Sequence, residues 1–117
     1  MSDLYKRTVA LCADLAGQSV AEFERRISGQ HPHTQNGRAV AAVIFYRAGD
    51  YWSDFFDMSD PTALAIWASM FDQYQPFVTP EVAEKAVDAV HAAGVEHPAI
   101  SHFLQAAERI TQEGGAV

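Results

Sequence analysis

Residues Asp60 to Gln75 carry the marks of both ends of a helix, and no other stretch constrains the fold as much. Asp60 is an N-cap residue: its short side-chain oxygen can accept from a free backbone N–H one turn on. Pro61 takes the first helical position, where a missing N–H costs nothing. Pro76 closes the segment, because the residue before a proline avoids helical angles. Between these marks Ala63, Leu64, Ile66, Trp67, Met70, Phe71 and Tyr74 recur at spacings of three and four. A stripe that wide predicts neighbours on several sides, so the segment reads as the central core helix.

The rest of the chain follows the same period. A helix over Asp3 to Ala16 is capped by Ser2 and ended by Gly17, with Leu4, Thr8, Leu11, Cys12 and Leu15 inward. Ser19 and Glu22 form a capping box ahead of Val20, Phe23 and Ile27, and Gly29 ends that helix. Residues 29–37 read as a loop. It contains His31-Pro32-His33 and ends in the turn dipeptide Asn36-Gly37. The apolar run Val40 to Tyr46 could be a buried strand. Three alanines, Ala39, Ala41 and Ala42, and the lack of any second strand to pair with, favour a helix from about Arg38 to Ala48. Gly49 breaks or bends it, and Asp50 to Met58 is a further helical segment.

Residues 76–80 form a stiff connector in which Thr79 caps and Pro80 opens the next helix. That helix carries Val82, Ala83, Ala86, Val87 and Val90 and ends at Gly94. His97-Pro98 opens the last helix, with Ile100, Phe103, Leu104, Ala107 and Ile110 inward, and residues 113–117 are its frayed tail. The expectation is an all-α protein: a compact, irregular bundle of six or seven short helices in one domain. No heptad persists, so it is not a coiled coil.

Hydrophobic residues make up 49% of the chain, enough for a core without staples. The single cysteine, Cys12, excludes an internal disulfide framework and reads as a small buried apolar residue. No apolar run follows a basic N-terminal region. The longest apolar run, Ala39 to Tyr46, falls far short of the about 20 residues that a membrane span needs. A soluble, cytoplasmic protein is expected.

The net charge of −7 is unevenly spread. Residues 1–47 hold six bases against four acids, a balance of +2. Residues 48–117 hold only Lys85 and Arg109 against eleven acids, a balance of −9. Nucleic acid would repel such a segment, because its affinity rests on phosphate neutralisation. A basic surface would attract it.

Asp50, Asp54, Asp57 and Asp60 stand four, three and three apart, which on a helix makes one negative ridge. Like charges at that spacing oppose folding by a few tenths of a kcal/mol per pair. Such a local conflict points to a functional surface. Tyr51, Trp52, Phe55 and Phe56 flank it, and aromatics beside charge suit a docking site. The expected partner-binding set is therefore Asp50, Tyr51, Trp52, Asp54, Asp57 and Asp60. Glu81, Glu84 and Asp88, softened by Lys85, form a second acidic face that begins where a helix N-terminus favours acids.

Five histidines raise the question of metal, but neither the paired spacings of structural zinc nor H-E-x-x-H is present. No G-x-S-x-G and no glycine-rich phosphate loop occurs. A non-enzymatic protein without metal or cofactor is expected. Small, acidic and without catalytic motifs, the chain has an overall character similar to phage-encoded anti-CRISPR inhibitors and other nucleic-acid-mimicking blockers. That resemblance implies a protein partner with an exposed Lys/Arg channel, such as a nuclease, helicase or effector complex. The alternatives are a structural or oligomerising domain, for instance a homodimer, and a small metal-dependent or ligand-binding enzyme.

Overall fold

The computed structural model describes residues 3–52 and 60–115. Within them lie six helices and no strand: α1 (Asp3–Leu15), α2 (Val20–Gln30), α3 (Gln35–Tyr51), α4 (Pro61–Tyr74), α5 (Pro80–Ala92) and α6 (Ile100–Gly115). Successive helices form pairs, and the pairs stack in chain order. α1 packs on α3 and α2 on α4; α3 packs on α5 and α4 on α6. α1 and α2 do not pack against α5 or α6. The middle pair therefore separates the two outer ones, the nearest-neighbour logic by which helical repeats stack. One continuous apolar core runs through all three layers.

The centre of that core is α3, and the expectation that α4 holds this place is corrected. Ala39 to Phe45 are buried without a break, together with Gly37 and Ala48. A helix apolar on every side must be enclosed on every side. Three alanines in that run are strong helix formers and allow close approach by neighbours. α4 buries only Pro61, Leu64, Ala65, Ala68 and Phe71. Ile66 and Tyr74 are exposed, and Trp67 and Met70 are half-buried. Stripe width measured how apolar α4 is, not how closely its neighbours enclose it.

The caps follow local chemistry. Ser19 accepts from the Glu22 N–H at 3.2 Å and Thr79 from that of Val82 at 3.2 Å. Asp60 accepts from the N–H groups of Thr62 and Ala63 at 2.9 and 3.3 Å. Gly17 and Gly94 sit at φ +70° and +78°, the left-handed region that only glycine enters without strain.

Several boundaries differ from expectation. α2 runs through Gly29 to Gln30, and α3 begins at Gln35, so the loop is shorter than 29–37. Asn36-Gly37 is not a turn but the first turn of α3, capped by Thr34 through a 3.0 Å bond from the Gly37 N–H. Asn36 instead donates to the Val78 carbonyl at 2.8 Å, tying α3 to the connector. Gly49 neither breaks nor bends away: α3 continues to Tyr51 and stops where Trp52 leaves helical angles. α6 starts at Ile100, after His97-Pro98, and stays helical through Gly115.

Some inward positions are also corrected. α1 buries Val9, Cys12 and Ala13, while Leu11 and Leu15 are exposed; Val20 on α2 is exposed as well. The proposed helix over Asp50 to Met58 falls mostly outside the described residues.

The short loop carries a pH-dependent element. His33 sits half-buried, with Nδ1 against the His31 carbonyl and its buried Nε2 without a partner. Burial, helped by the nearby Arg38 cation, holds its pKa below the ordinary 6.5 against the raising effect of the His31 carbonyl. The unfolded chain therefore takes up this proton first on acidification. Stability is complete above about pH 6.5 and declines as pH falls through 6.5 toward the lower folded value. Melting temperatures at pH 7.5 and 5.5 should differ less in His33→Gln than in the wild type. An equal drop in both would place the titration elsewhere.

Candidate functional site

Asp50 and Asp60, expected at the two ends of one ridge, do not share a helix. Asp50 is exposed in the last turn of α3, whereas Asp60 is the half-buried cap of α4. Its carboxylate is engaged by two backbone N–H groups, which is why it is acidic there. Asp54 and Asp57, with Phe55 and Phe56, lie outside the described residues.

Tyr51 and Trp52 are half-buried and hold the pairs together. The Tyr51 hydroxyl donates to Asp88 Oδ1 at 2.8 Å, and its ring stacks on His91 with centroids 3.8 Å apart. Arg47 Nε donates to the same Asp88 oxygen at 3.0 Å. The Trp52 indole N–H donates to the Val95 carbonyl at 3.1 Å, and its ring meets Phe103 edge-on at 6.1 Å. These contacts clamp the end of α3 onto α5 and the turn before α6. Burial alone would raise the Asp88 pKa; the hydrogen bonds from Arg47 and Tyr51 outweigh it and hold the carboxyl below the usual range. The same bond to Asp88 raises the Arg47 and Tyr51 pKa values. Asp88 is thus a structural partner, not a free member of the second acidic face.

Asp72 is likewise engaged. Its Oδ1 accepts from the Thr34 hydroxyl at 2.6 Å and its Oδ2 from the Thr34 backbone N–H. Among the described residues, the exposed acids are Asp14, Glu22, Asp50, Glu81, Glu96, Glu108 and Glu113. Five of these follow residue 48, and Glu81, Glu96, Glu108 and Glu113 all belong to the α5–α6 pair or its turn. Of the exposed cations, Lys6, Arg7, Arg25 and Arg26 belong to α1 and α2, and Lys85 and Arg109 to α5 and α6. The charge asymmetry along the chain thus becomes an asymmetry in space: a neutral outer pair, whose four bases offset its four acids, and an acidic outer pair, with α3 and α4 between.

The aromatic residues that face solvent were not singled out by sequence reasoning. Phe77 is 86% exposed and Tyr74 57%. Both belong to the end of α4 and the connector leading to the acidic α5. The connector is held from both sides. Val78 is fully buried, its N–H donates to the Gln75 carbonyl at 3.2 Å, and its own carbonyl accepts from Asn36. Pro76 and Pro80 restrict the backbone further. With Val78 anchored inward, its neighbour Phe77 is turned outward. The one sequence signal available was the alternation within Pro76-Phe77-Val78-Thr79-Pro80, which does not say which apolar residue is the anchor.

Cys12 is fully buried, and burial pushes its thiol up to about 11, so it is not an activated nucleophile. Among the described residues no three of His, Cys, Asp and Glu come together as a metal cage, and no helix is long and apolar enough to cross a membrane. No family model, curated protein or solved structure matches the chain.

Proposed function

We propose that the chain is a non-catalytic binding protein that lays its acidic α5 side, with Phe77 as the anchor, on a basic surface of another protein. The observation that carries this is Phe77, a large apolar side chain almost wholly in water on a connector that cannot fold it away. Its exposure contributes nothing to the core, and aromatic anchors that enter a partner's pocket dominate many interfaces. Glu81, four residues on, and Glu84 beyond it supply the complement to Lys or Arg around such a pocket. A Lys/Arg-lined site fits a nucleic-acid-handling protein, whose channel the acids would occupy in place of phosphates.

The test compares wild type with Phe77→Ala and with Glu81→Lys/Glu84→Lys in affinity capture from a host lysate at low and high salt. A partner held by the wild type should be lost about a hundredfold in Phe77→Ala, as for a central anchor of about 3 kcal/mol. It should also be released by salt, and its nucleic-acid binding should be blocked by the wild-type protein. A captured protein that binds all three forms alike would refute this surface as the docking site.

A second reading, a self-associating domain, rests on a different patch. Leu11, Leu15 and Val20 are exposed at the α1–α2 end of the stack, where a further layer could cover them. Light scattering of wild type and Leu15→Glu would show a mass that falls to the monomer in the variant if this patch joins copies.

A further inference from the structure

Between α5 and α6 lies a half-open pocket of about 110 Å³. Its apolar lining is Val90, Val95 and the alanines at 89, 93 and 106, whose short side chains leave the space unfilled. His102, Gln105 and Arg109 line the rest. They stand three and four apart, on one face of α6. The turn that bounds the pocket is fixed, since the Trp52 indole N–H holds the Val95 carbonyl.

The polar side of the pocket consists of donors. His102 Nδ1 accepts the Ala99 N–H at 2.9 Å, which puts the proton of the neutral ring on Nε2. Gln105 offers amide hydrogens. Arg109 is exposed and makes no ion pair among the described residues, although two acids stand close to it in sequence. Of these, Glu108 accepts from Gln112 at 3.4 Å instead. An arginine on an acidic face, unpaired beside an apolar recess and next to two further donors, has the makings of a carboxylate site.

We infer that this pocket binds a short-chain aliphatic monocarboxylate. The carboxylate sits on Arg109 and His102, and the alkyl tail lies on Val90 and Val95. Size sets the chain length: a cavity of about 150 Å³ takes the six carbons of benzene, so this one takes about four or five non-hydrogen atoms, acetate or propionate. Charge sets the valence. Glu96, Glu108 and Glu113 on the same pair repel a dianion more than a monoanion, so inorganic phosphate is disfavoured. The inference is independent of the docking role of Phe77.

The test is a titration of the ¹⁵N-labelled full chain with sodium propionate at constant ionic strength, followed by amide shifts. Propionamide and inorganic phosphate serve as comparisons. Saturable shifts confined to residues 89–95 and 102–109 are expected, with a dissociation constant in the millimolar range for so small a ligand. Binding should be about tenfold weaker in Arg109→Gln, from loss of the charge-assisted bond, and absent in Ala93→Leu, which fills the recess. Both positions are exposed, so both variants should keep the wild-type spectrum elsewhere. Absence of saturable shifts, equal binding by Arg109→Gln, or phosphate or propionamide binding as well as propionate would each overturn the inference.

Discussion

Gly37→Ala should lower the melting temperature by about 8 °C, although alanine is the better helix former. The two effects oppose each other. Replacing glycine inside a helix gains about 1 kcal/mol from propensity. At position 37 the added Cβ would stand 2.5 Å from Asp72 Oδ1 and 2.8 Å from the Ala68 carbonyl oxygen. The first contact can relax by moving a side chain, but that side chain holds Thr34, the cap of α3. The second is backbone, so α3 and α4 must separate. Overpacking of this kind costs about 3 kcal/mol, which outweighs the gain by about 2 kcal/mol. For a domain of this size that shifts the midpoint by about 4 °C per kcal/mol. Calorimetry of the pure variant measures it. A melting temperature above that of the wild type would mean that propensity wins and that α3 and α4 do not approach so closely.

Gly37 also shows where the sequence ceases to be legible. The caps at Ser19, Asp60 and Thr79 were readable because donor and acceptor lie within one turn of each other. At Thr34 the spacing to Gly37 is the same, but the competing turn dipeptide Asn36-Gly37 is overruled by Asp72, a residue of another helix, which holds Thr34. Without that partner Asn36-Gly37 reads as a turn. The same limit applies to the central helix. Apolar spacing shows that α3 and α4 are both rich in buried candidates, but only the packing shows that α3 lies closely along α5 while α4 barely meets α6. At the candidate site, acids and aromatics were visible around residues 50–60. Which of them are engaged depends on Arg47, Asp88, His91 and Val95, and most of these lie far along the chain. The charge imbalance was legible in full, because it follows from counting. Its separation in space follows from the layered stacking, which no local pattern records.

The layered order also ranks two core substitutions. Phe45 on α3 is fully buried and meets the half-buried Trp67 of α4 edge-on, with centroids 5.2 Å apart. Phe45→Ala leaves an enclosed cavity and should cost about 4 kcal/mol. Trp67→Ala opens a gap that water can reach from the surface side of α4. The gap is not an enclosed cavity, so the change should cost about 2 kcal/mol despite the larger ring. Urea unfolding of the two variants tests the order, and the midpoint should fall further for Phe45→Ala. Since the rings touch, the double variant should lose less than the sum of the two by about 1 kcal/mol, the coupling of an edge-on aromatic pair. If Trp67→Ala proves the more damaging change, α4 and not α3 is the enclosed helix. The stacking order, with the acidic α5–α6 pair held apart from the neutral α1–α2 pair by the middle layer, would then have to be redrawn around it.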